Sequence, residues 1–309
     1  MGQGGRVKIS IKGGNRMVFQ YCQSRFKIII FTENTGDMIS FPRAKINIGL
    51  RVTGKRHDGF HDIETIFYPV GFYDALEFVI PPGQTGEDTL VVTGINIGSR
   101  PKENLVMRAL KKMRENYDIP FLKIHLHKRI PAAAGLGGGS SDAACIMKAI
   151  NKCFRLSIDT VTLKRIALEV GSDCPFFIDS VPSFATGRGE LLKPVSYLPE
   201  EFKIVLVNPG IRISTRDAYN NCIPARPANS LEELIRLHPS EWKESITNDF
   251  EQFVFKLYPQ IEDIKISLYR AGALYSSMSG SGSTVYGIFS WRIDIPDHLE
   301  QHVIFKGDL

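Results

Sequence analysis

The sequence has no apolar run long enough to span a bilayer: its most apolar short stretch, Ile28 to Phe31, lasts a few residues beside Lys27. It has no CxxC pair, and its five cysteines (Cys22, Cys145, Cys153, Cys174, Cys222) are odd in number. That usage suits unpaired thiols in a reducing compartment and argues against a disulfide framework. No internal repeat and no low-complexity tract appears. A surplus of one charge is also missing from the body of the chain. The formal net charge is +5, but residues 1–37 hold six basic residues against two acidic ones, leaving 32 basic and 31 acidic residues beyond them. Without a basic stripe interleaved with aromatics, nucleic-acid binding is excluded. What remains is a globular chain of 309 residues, 43% hydrophobic and 23% charged, of a length that suits two domains. Its expected compartment is the cytoplasm, with no membrane partner.

Residues 1–37 read as an N-terminal extension that carries no catalytic residue. Three accounts compete: a disordered leader translated from a start called too early, with Met38 the working start; a basic, acid-poor targeting peptide; or an extra strand using Phe26 to Phe31. From Met38 the pattern mixes α and β. Lys45 to Thr53 alternates as a strand, His57-Asp58-Gly59 makes a turn, and Glu64 to Ile80 gives one or two strands. Pro82 to Glu87 is a loop. Apolar residues at Leu105, Val106, Ala109, Leu110 and Met113 predict a helix within 103–117, and Ile124 and Leu126 alternate in a strand over 121–130. Ser141 to Lys152 is a helix, and Ser157 and Asp159 open another that Gly171 ends. Beyond Pro194 a strand at Phe202 to Asn208, a polar stretch over 212–229, helices at 230–237 and 259–271 and a strand at 284–289 follow. The change of character near 190–200 divides the chain into 38–193 and 194–309.

The chemistry concentrates where the strand over 121–130 ends. Pro131-Ala132-Ala133-Ala134-Gly135-Leu136-Gly137-Gly138-Gly139-Ser140-Ser141-Asp142-Ala143-Ala144 joins strand to helix. Glycines admit positive φ and bring backbone N–H groups close to an anion, and the helix start adds orphan donors and a positive dipole end. A flexible linker is the bland alternative, but linkers do not usually stand between an alternating strand and an Ala-rich helix. The loop lacks the Gly-Lys-Ser/Thr of a Walker A motif and the later acidic residue of a dinucleotide fingerprint.

This loop resembles the central motif of the GHMP kinases, named for galactokinase, homoserine, mevalonate and phosphomevalonate kinases. Its Gly-Gly-Gly-Ser-Ser form is similar to that of the members that phosphorylate a hydroxyl of a cytidine-diphosphate-linked polyol in the non-mevalonate isoprenoid pathway. Four further segments carry the likeness. Arg43-Ala44-Lys45-Ile46-Asn47-Ile48-Gly49-Leu50 resembles the Pro-Ala-Lys-hydrophobic-Asn motif, with Arg43 in place of proline, and Lys55 to Thr65 resembles Arg-x-Asp-Gly-Tyr-His, with Phe60 in place of tyrosine. Gly171-Ser172-Asp173-Cys174-Pro175-Phe176-Phe177 is similar to Gly-Ala-Asp-Val-Pro-Phe-Phe and is followed by Ala185-Thr186-Gly187-Arg188-Gly189-Glu190. Ser279-Gly280-Ser281-Gly282-Ser283 matches the third family motif.

The resemblance implies an α+β fold of two domains, a ribosomal-protein-S5-like N-terminal one binding ATP and a ferredoxin-like C-terminal one binding substrate. It implies ATP and Mg²⁺ as cofactors, Asp173 as the base that takes the hydroxyl proton and Lys45 as support for the developing charge. Residues 131–141 and Lys128 would hold the nucleotide. Asn47, Phe60, His61, Thr215, Tyr219, Gly280, Ser281 and Gly282 would hold the substrate, and no protein metal ligand is named. Taken alone, Asp173 reads as a cap or turn residue, His61 as a surface histidine and Tyr219 as core. His57 and His61 are four apart, but Gly59 lies between them and no third ligand is near, so they do not read as a metal pair. Cys174 carries no expected role. Rival activities are another GHMP kinase, of the homoserine or mevalonate type, or a non-catalytic nucleotide-binding protein. The 55–65 segment favours the cytidine substrate, and Lys45 with Asp173 favours catalysis. Monomer and homodimer both remain open.

Overall fold

The computed structural model describes residues 6–10, 16–20, 29–32, 38–81, 86–98, 103–199 and 201–309, the first three stretches as backbone only. The expected loop over 82–87 falls largely outside these residues, as do Phe26 to Ile28 of the expected N-terminal strand. Two compact units are built from interleaved stretches of chain: Met1–Arg43, Tyr73–Pro131 and Gly138–Ile178 form one, and Ala44–Phe72, Ala132–Gly137 and Asp179–Leu309 form the other.

The first unit contains a seven-stranded sheet. Its order is Arg6–Ser10, Arg16–Gln20, Ile29–Thr32, Met38–Ser40, Ala75–Val79, Lys123–Lys128 and Thr89–Gly94. Only the last pair is parallel. Lys123–Lys128 alternates as its sequence dictates, with Ile124 and Leu126 buried. The helices Leu105–Arg114, Gly138–Cys153 and Thr160–Val170 pack on one another, and Gly138–Cys153 also lies on the strands Met38–Ser40 and Ala75–Val79. Helix starts follow their capping residues: Asn104 accepts from the Val106 N–H, and Asp159 from the Thr162 N–H. Leu76, Phe78, Leu110, Met113, Ile146 and Ile150 fill the core, each almost wholly buried.

The second unit holds two four-stranded sheets. One runs Leu191–Pro194, Ser183–Thr186, His61–Tyr73, Arg43–Lys55; the other runs Tyr275–Met278, Val285–Phe289, Lys203–Val207, Val303–Asp308 and is antiparallel throughout. A cluster including Leu50, Val52, Val205, Val207, Phe250, Ile264, Leu268 and Met278 is its core. Among the described residues no helix is long and apolar enough to cross a membrane.

The expected elements at 45–53, 64–80, 103–117, 121–130, 157–170, 202–208, 259–271 and 284–289 are present with shifted ends. The helix after the glycine loop begins at Gly138, ahead of the expected Ser141. The expected helix over 230–237 is a single α turn, Leu231–Leu234, after which the chain tightens: the Arg236 N–H donates to the Glu233 carbonyl and the Leu237 N–H to the Leu234 carbonyl. The polar stretch over 212–229 contains the short helix Thr215–Asn220, capped by Ser214. Tyr275–Met278 gave no strand signal because two serines fill its centre, yet all four residues are buried.

Candidate active site

In the second unit the strand Arg43–Lys55 carries Lys45 and Asn47, both almost fully buried. The Lys45 ammonium donates to Asn47 Oδ1 and lies 5.0 Å from the centre of the Phe67 ring. Asn47 is held on every side. Its amide donates to Thr65 Oγ1 at 3.0 Å, and Thr65 passes the chain on to the Gly49 carbonyl at 2.5 Å. Its backbone N–H donates to Ser279 Oγ at 3.1 Å, and its carbonyl accepts from the Tyr286 hydroxyl at 2.9 Å. Buried polar groups satisfied this completely fix a single arrangement.

The loop stretch Ala132–Gly137 joins the same network. Leu136 accepts from the Lys45 N–H at 3.0 Å, and Gly135 accepts from Ser279 Oγ at 2.8 Å. Gly135 and Gly137 adopt φ of 77° and 69°, the conformations glycine allows at no steric cost. The second glycine turn is anchored by Asn248, whose amide donates to the carbonyls of Met278 at 2.7 Å and Gly280 at 2.8 Å. Thr215 and Ser281 hydroxyls lie 2.9 Å apart. Lys45, Asn47, the loop stretch Ala132–Gly137 and the second glycine turn thus form one hydrogen-bonded body within this unit.

A second cluster of expected residues lies in this unit. His61 and Tyr219 stack with ring centres 5.0 Å apart and planes 17° apart, and Tyr219 also meets Phe250 edge-on at 4.8 Å. Tyr219 is therefore both a core residue and half of an aromatic pair. Phe60 is 51% exposed, with the Arg188 guanidinium 4.8 Å from its ring centre.

The first unit holds the helix that leaves the loop and the expected base. Asp173 stands directly before the helix Cys174–Asp179, in a turn whose Gly171 carbonyl accepts from the Cys174 N–H at 3.1 Å. A Cβ built on Gly171 would come 3.2 Å from Cys174 Sγ and 3.9 Å from Ser140 Oγ, so the Asp173 turn lies beside the start of the loop helix. Burial, with the Asp173 charge nearby, pushes the Cys174 thiol up to about 12, which keeps it protonated and unreactive. Lys128 is placed differently from a surface lysine reaching for a ligand: its ammonium lies between the buried carboxylates of Asp74 and Asp142. Composition gave no signal for Asp74, which interrupts an apolar run between two strands, or for Asn248.

The profile described as GHMP kinases N terminal domain matches residues 104–180, and that described as GHMP kinases C terminal matches residues 230–299. The chain belongs to the GHMP kinases. Its relatives include the 4-diphosphocytidyl-2-C-methyl-D-erythritol kinase of Parabacteroides distasonis, 48% identical over 269 residues, which span 87% of this chain and 96% of that protein. The enzyme of the same name from Bacteroides thetaiotaomicron is 44% identical over 88% of this chain and all of its own length. Among solved structures, a 4-(cytidine 5'-diphospho)-2C-methyl-D-erythritol kinase superposes with a TM-score of 0.70 at 31% identity, covering 86% of this chain and 93% of that one. The mevalonate kinase of Methanococcus jannaschii shares the fold, with a TM-score of 0.57 at 13% identity over 85% and 92% of the two chains.

Proposed function

We propose that this chain transfers the γ-phosphoryl group of ATP to the 2-hydroxyl of 4-diphosphocytidyl-2-C-methyl-D-erythritol. The observation that carries the substrate class is the His61–Tyr219 stack beside exposed Phe60, an aromatic station suited to a pyrimidine ring. With it we assign Asn47, Thr215, Gly280, Ser281 and Gly282 to the substrate and residues 131–141 to the phosphates. ATP binding is assigned to 38–193 and substrate binding chiefly to 194–309, with Asn47, Phe60 and His61 contributed from the first stretch.

The residues fit the nucleotide. Exposed Gly139, the positive-φ glycines of the loop and the orphan N–H groups of the helix Gly138–Cys153 form a cradle for phosphate oxygens. Among the described residues no group of three or more His, Cys, Asp or Glu side chains could hold a metal ion. A magnesium ion arriving with ATP needs only one or two protein oxygens, of which the Ser140 hydroxyl would supply one. When bound, the ion would lend positive charge to the transferred group. Asp173 accepts the proton of the attacking hydroxyl, and Lys45, held by Asn47, offers its ammonium to the charge that develops.

A coupled ADP-release assay with ATP, Mg²⁺ and the cytidine compound tests this reading. Turnover is expected with that compound and not with mevalonate or homoserine. The reverse preference would overturn the substrate, and turnover with none of the three would favour a nucleotide-binding protein without catalysis.

A further inference from the structure

Lys128 ends the strand that enters the phosphate loop, yet its side chain is only 2% exposed. Its ammonium donates to Asp74 Oδ2 and, at 2.8 Å, to Asp142 Oδ2. Asp74 uses its other oxygen on the loop itself, accepting from the backbone N–H groups of Arg129 at 2.6 Å and Ile130 at 2.9 Å. Asp142 lies on the helix Gly138–Cys153, through which the chain leaves the loop. A Cβ on Gly138, the first residue of that helix, would come 3.3 Å from the ammonium nitrogen. The three side chains therefore tie the backbone entering the loop to the helix leaving it.

The charges of the cluster do not cancel. One ammonium faces two carboxylates, and Asp142 Oδ1 is buried without a hydrogen-bond partner. Burial above all, with the Asp74 charge, pushes the Asp142 carboxyl upward against the pull of Lys128. Burial also works against the Lys128 cation, but the charges and hydrogen bonds of Asp142 and Asp74 hold it above the usual lysine range. A buried cluster of this kind is costly unless it fixes something. Here it fixes the separation of the two ends of the loop.

We propose that Lys128, Asp74 and Asp142 are positioning residues that set the shape of the phosphate loop, and so its affinity for nucleotide, without touching the nucleotide themselves. The inference rests on the reading of 131–144 as the loop that holds ATP phosphates. A loop whose ends can drift relaxes its N–H groups away from phosphate, and small misplacements of binding groups are expensive.

The test uses the full chain and the probe AMP-PNP with Mg²⁺, titrated calorimetrically into the wild type, Lys128→Met, Asp142→Ala, Asp142→Asn and the Lys128→Met/Asp142→Ala pair. Thermal midpoints and KM for both substrates are recorded alongside. Lys128→Met and Asp142→Ala are each expected to raise the AMP-PNP Kd and the KM for ATP by roughly tenfold. The double variant is expected to be no worse than the weaker single, because both break one unit. Asp142→Asn keeps an oxygen for the ammonium and is expected to restore near wild-type affinity. KM for the cytidine compound is expected to stay put. If Lys128→Met weakens AMP-PNP while Asp142→Ala does not, Lys128 contacts the nucleotide directly and the proposal is overturned. If Asp142→Ala lowers only the thermal midpoint, the cluster is merely structural and the proposal again fails. Should Lys128→Met not fold, Asp142→Ala against Asp142→Asn carries the test, since both keep Lys128 paired with Asp74. A wild type that binds no AMP-PNP would refute the phosphate-loop reading, a different failure from a wild type that binds and variants that match it.

Discussion

The Ser279 hydroxyl donates to the Gly135 carbonyl at 2.8 Å, and a Cβ added to Gly135 would lie only 1.8 Å from the Ser279 carbonyl oxygen. The two glycine-rich segments, 144 residues apart in sequence, are packed backbone to backbone. Gly135→Ala therefore meets two penalties: positive φ costs a non-glycine residue about 1–2 kcal/mol, and the clash forces the loops apart. A clear loss in chemical-denaturation midpoint is expected, together with a raised KM for ATP. Ser279→Ala, which removes only the hydroxyl, is expected to cost about 1 kcal/mol in the same denaturation.

Asp173→Asn keeps the shape of the turn and removes the proton acceptor. With Asp173 as base, kcat in the ADP-release assay is expected to fall by roughly 10²–10⁴-fold. AMP-PNP affinity is expected to stay within about threefold of wild type, because the residue acts on the hydroxyl and not on the bound phosphates. An equal loss of kcat and nucleotide affinity would instead make Asp173 a nucleotide ligand.

The stacked pair gives a prediction specific to the substrate. Tyr219→Leu preserves an apolar contact with Phe250 and removes the ring that faces His61. KM for the cytidine compound is expected to rise by about 2–10-fold, the range of one aromatic pair, with KM for ATP unchanged. His61→Ala is expected to act in the same direction and by a similar factor. Steady-state kinetics with each substrate varied in turn separates the two constants.

A stability profile reports on Asp142. Its folded carboxyl titrates above the unfolded value, through burial first and Asp74 second, so between those two values the folded protein holds more protons than the unfolded chain. Unfolding free energy must then fall as pH rises through that window, from the ordinary carboxylate range toward neutrality. Lys128 stays charged throughout, Asp74 is the other carboxylate of the cluster, and Cys145, a further titratable neighbour, is pushed up to about 11 by burial and stays neutral. Denaturation midpoints at pH 5 and pH 8 are expected to show a larger decline for wild type than for Asp142→Asn, which has no proton to lose.

Much of this was legible in the sequence wherever local pattern and tertiary packing agree. Ile124 and Leu126 announced their strand, Asp159 its helix, and the glycine loop its strand-to-helix setting. Lys45 and Asn47 were recognisable from their motif, and the structure adds what holds them: Thr65, Ser279 and Tyr286, brought from distant stretches by sheet pairing that no local spacing encodes. Lys128 was readable as a cation beside a phosphate loop but not as the centre of a buried cluster. Its partners lie 54 residues before it and 14 after it, and neither an aspartate between two strands nor one inside a helix start advertises its contact. Asn248 was invisible for the same reason, since its role depends on the backbone of a turn some 30 residues away.

The interleaving of the chain has a consequence for how the protein is made. The core of the second unit needs Leu50, Val52 and Ile63 from one end of the sequence and Val205 to Leu299 from the other. The N–H of Leu50 donates to Thr247, and its carbonyl accepts from Asp249. At usual synthesis rates, the partners of the strand Arg43–Lys55 leave the ribosome on the order of ten seconds or more after the strand itself. Through that interval a long strand, mostly buried in the finished fold, must wait with only its neighbour His61–Tyr73 for cover. The C-terminal half is thus the completing half of a core begun early, and its arrival rather than local helix or hairpin formation sets the pace of folding.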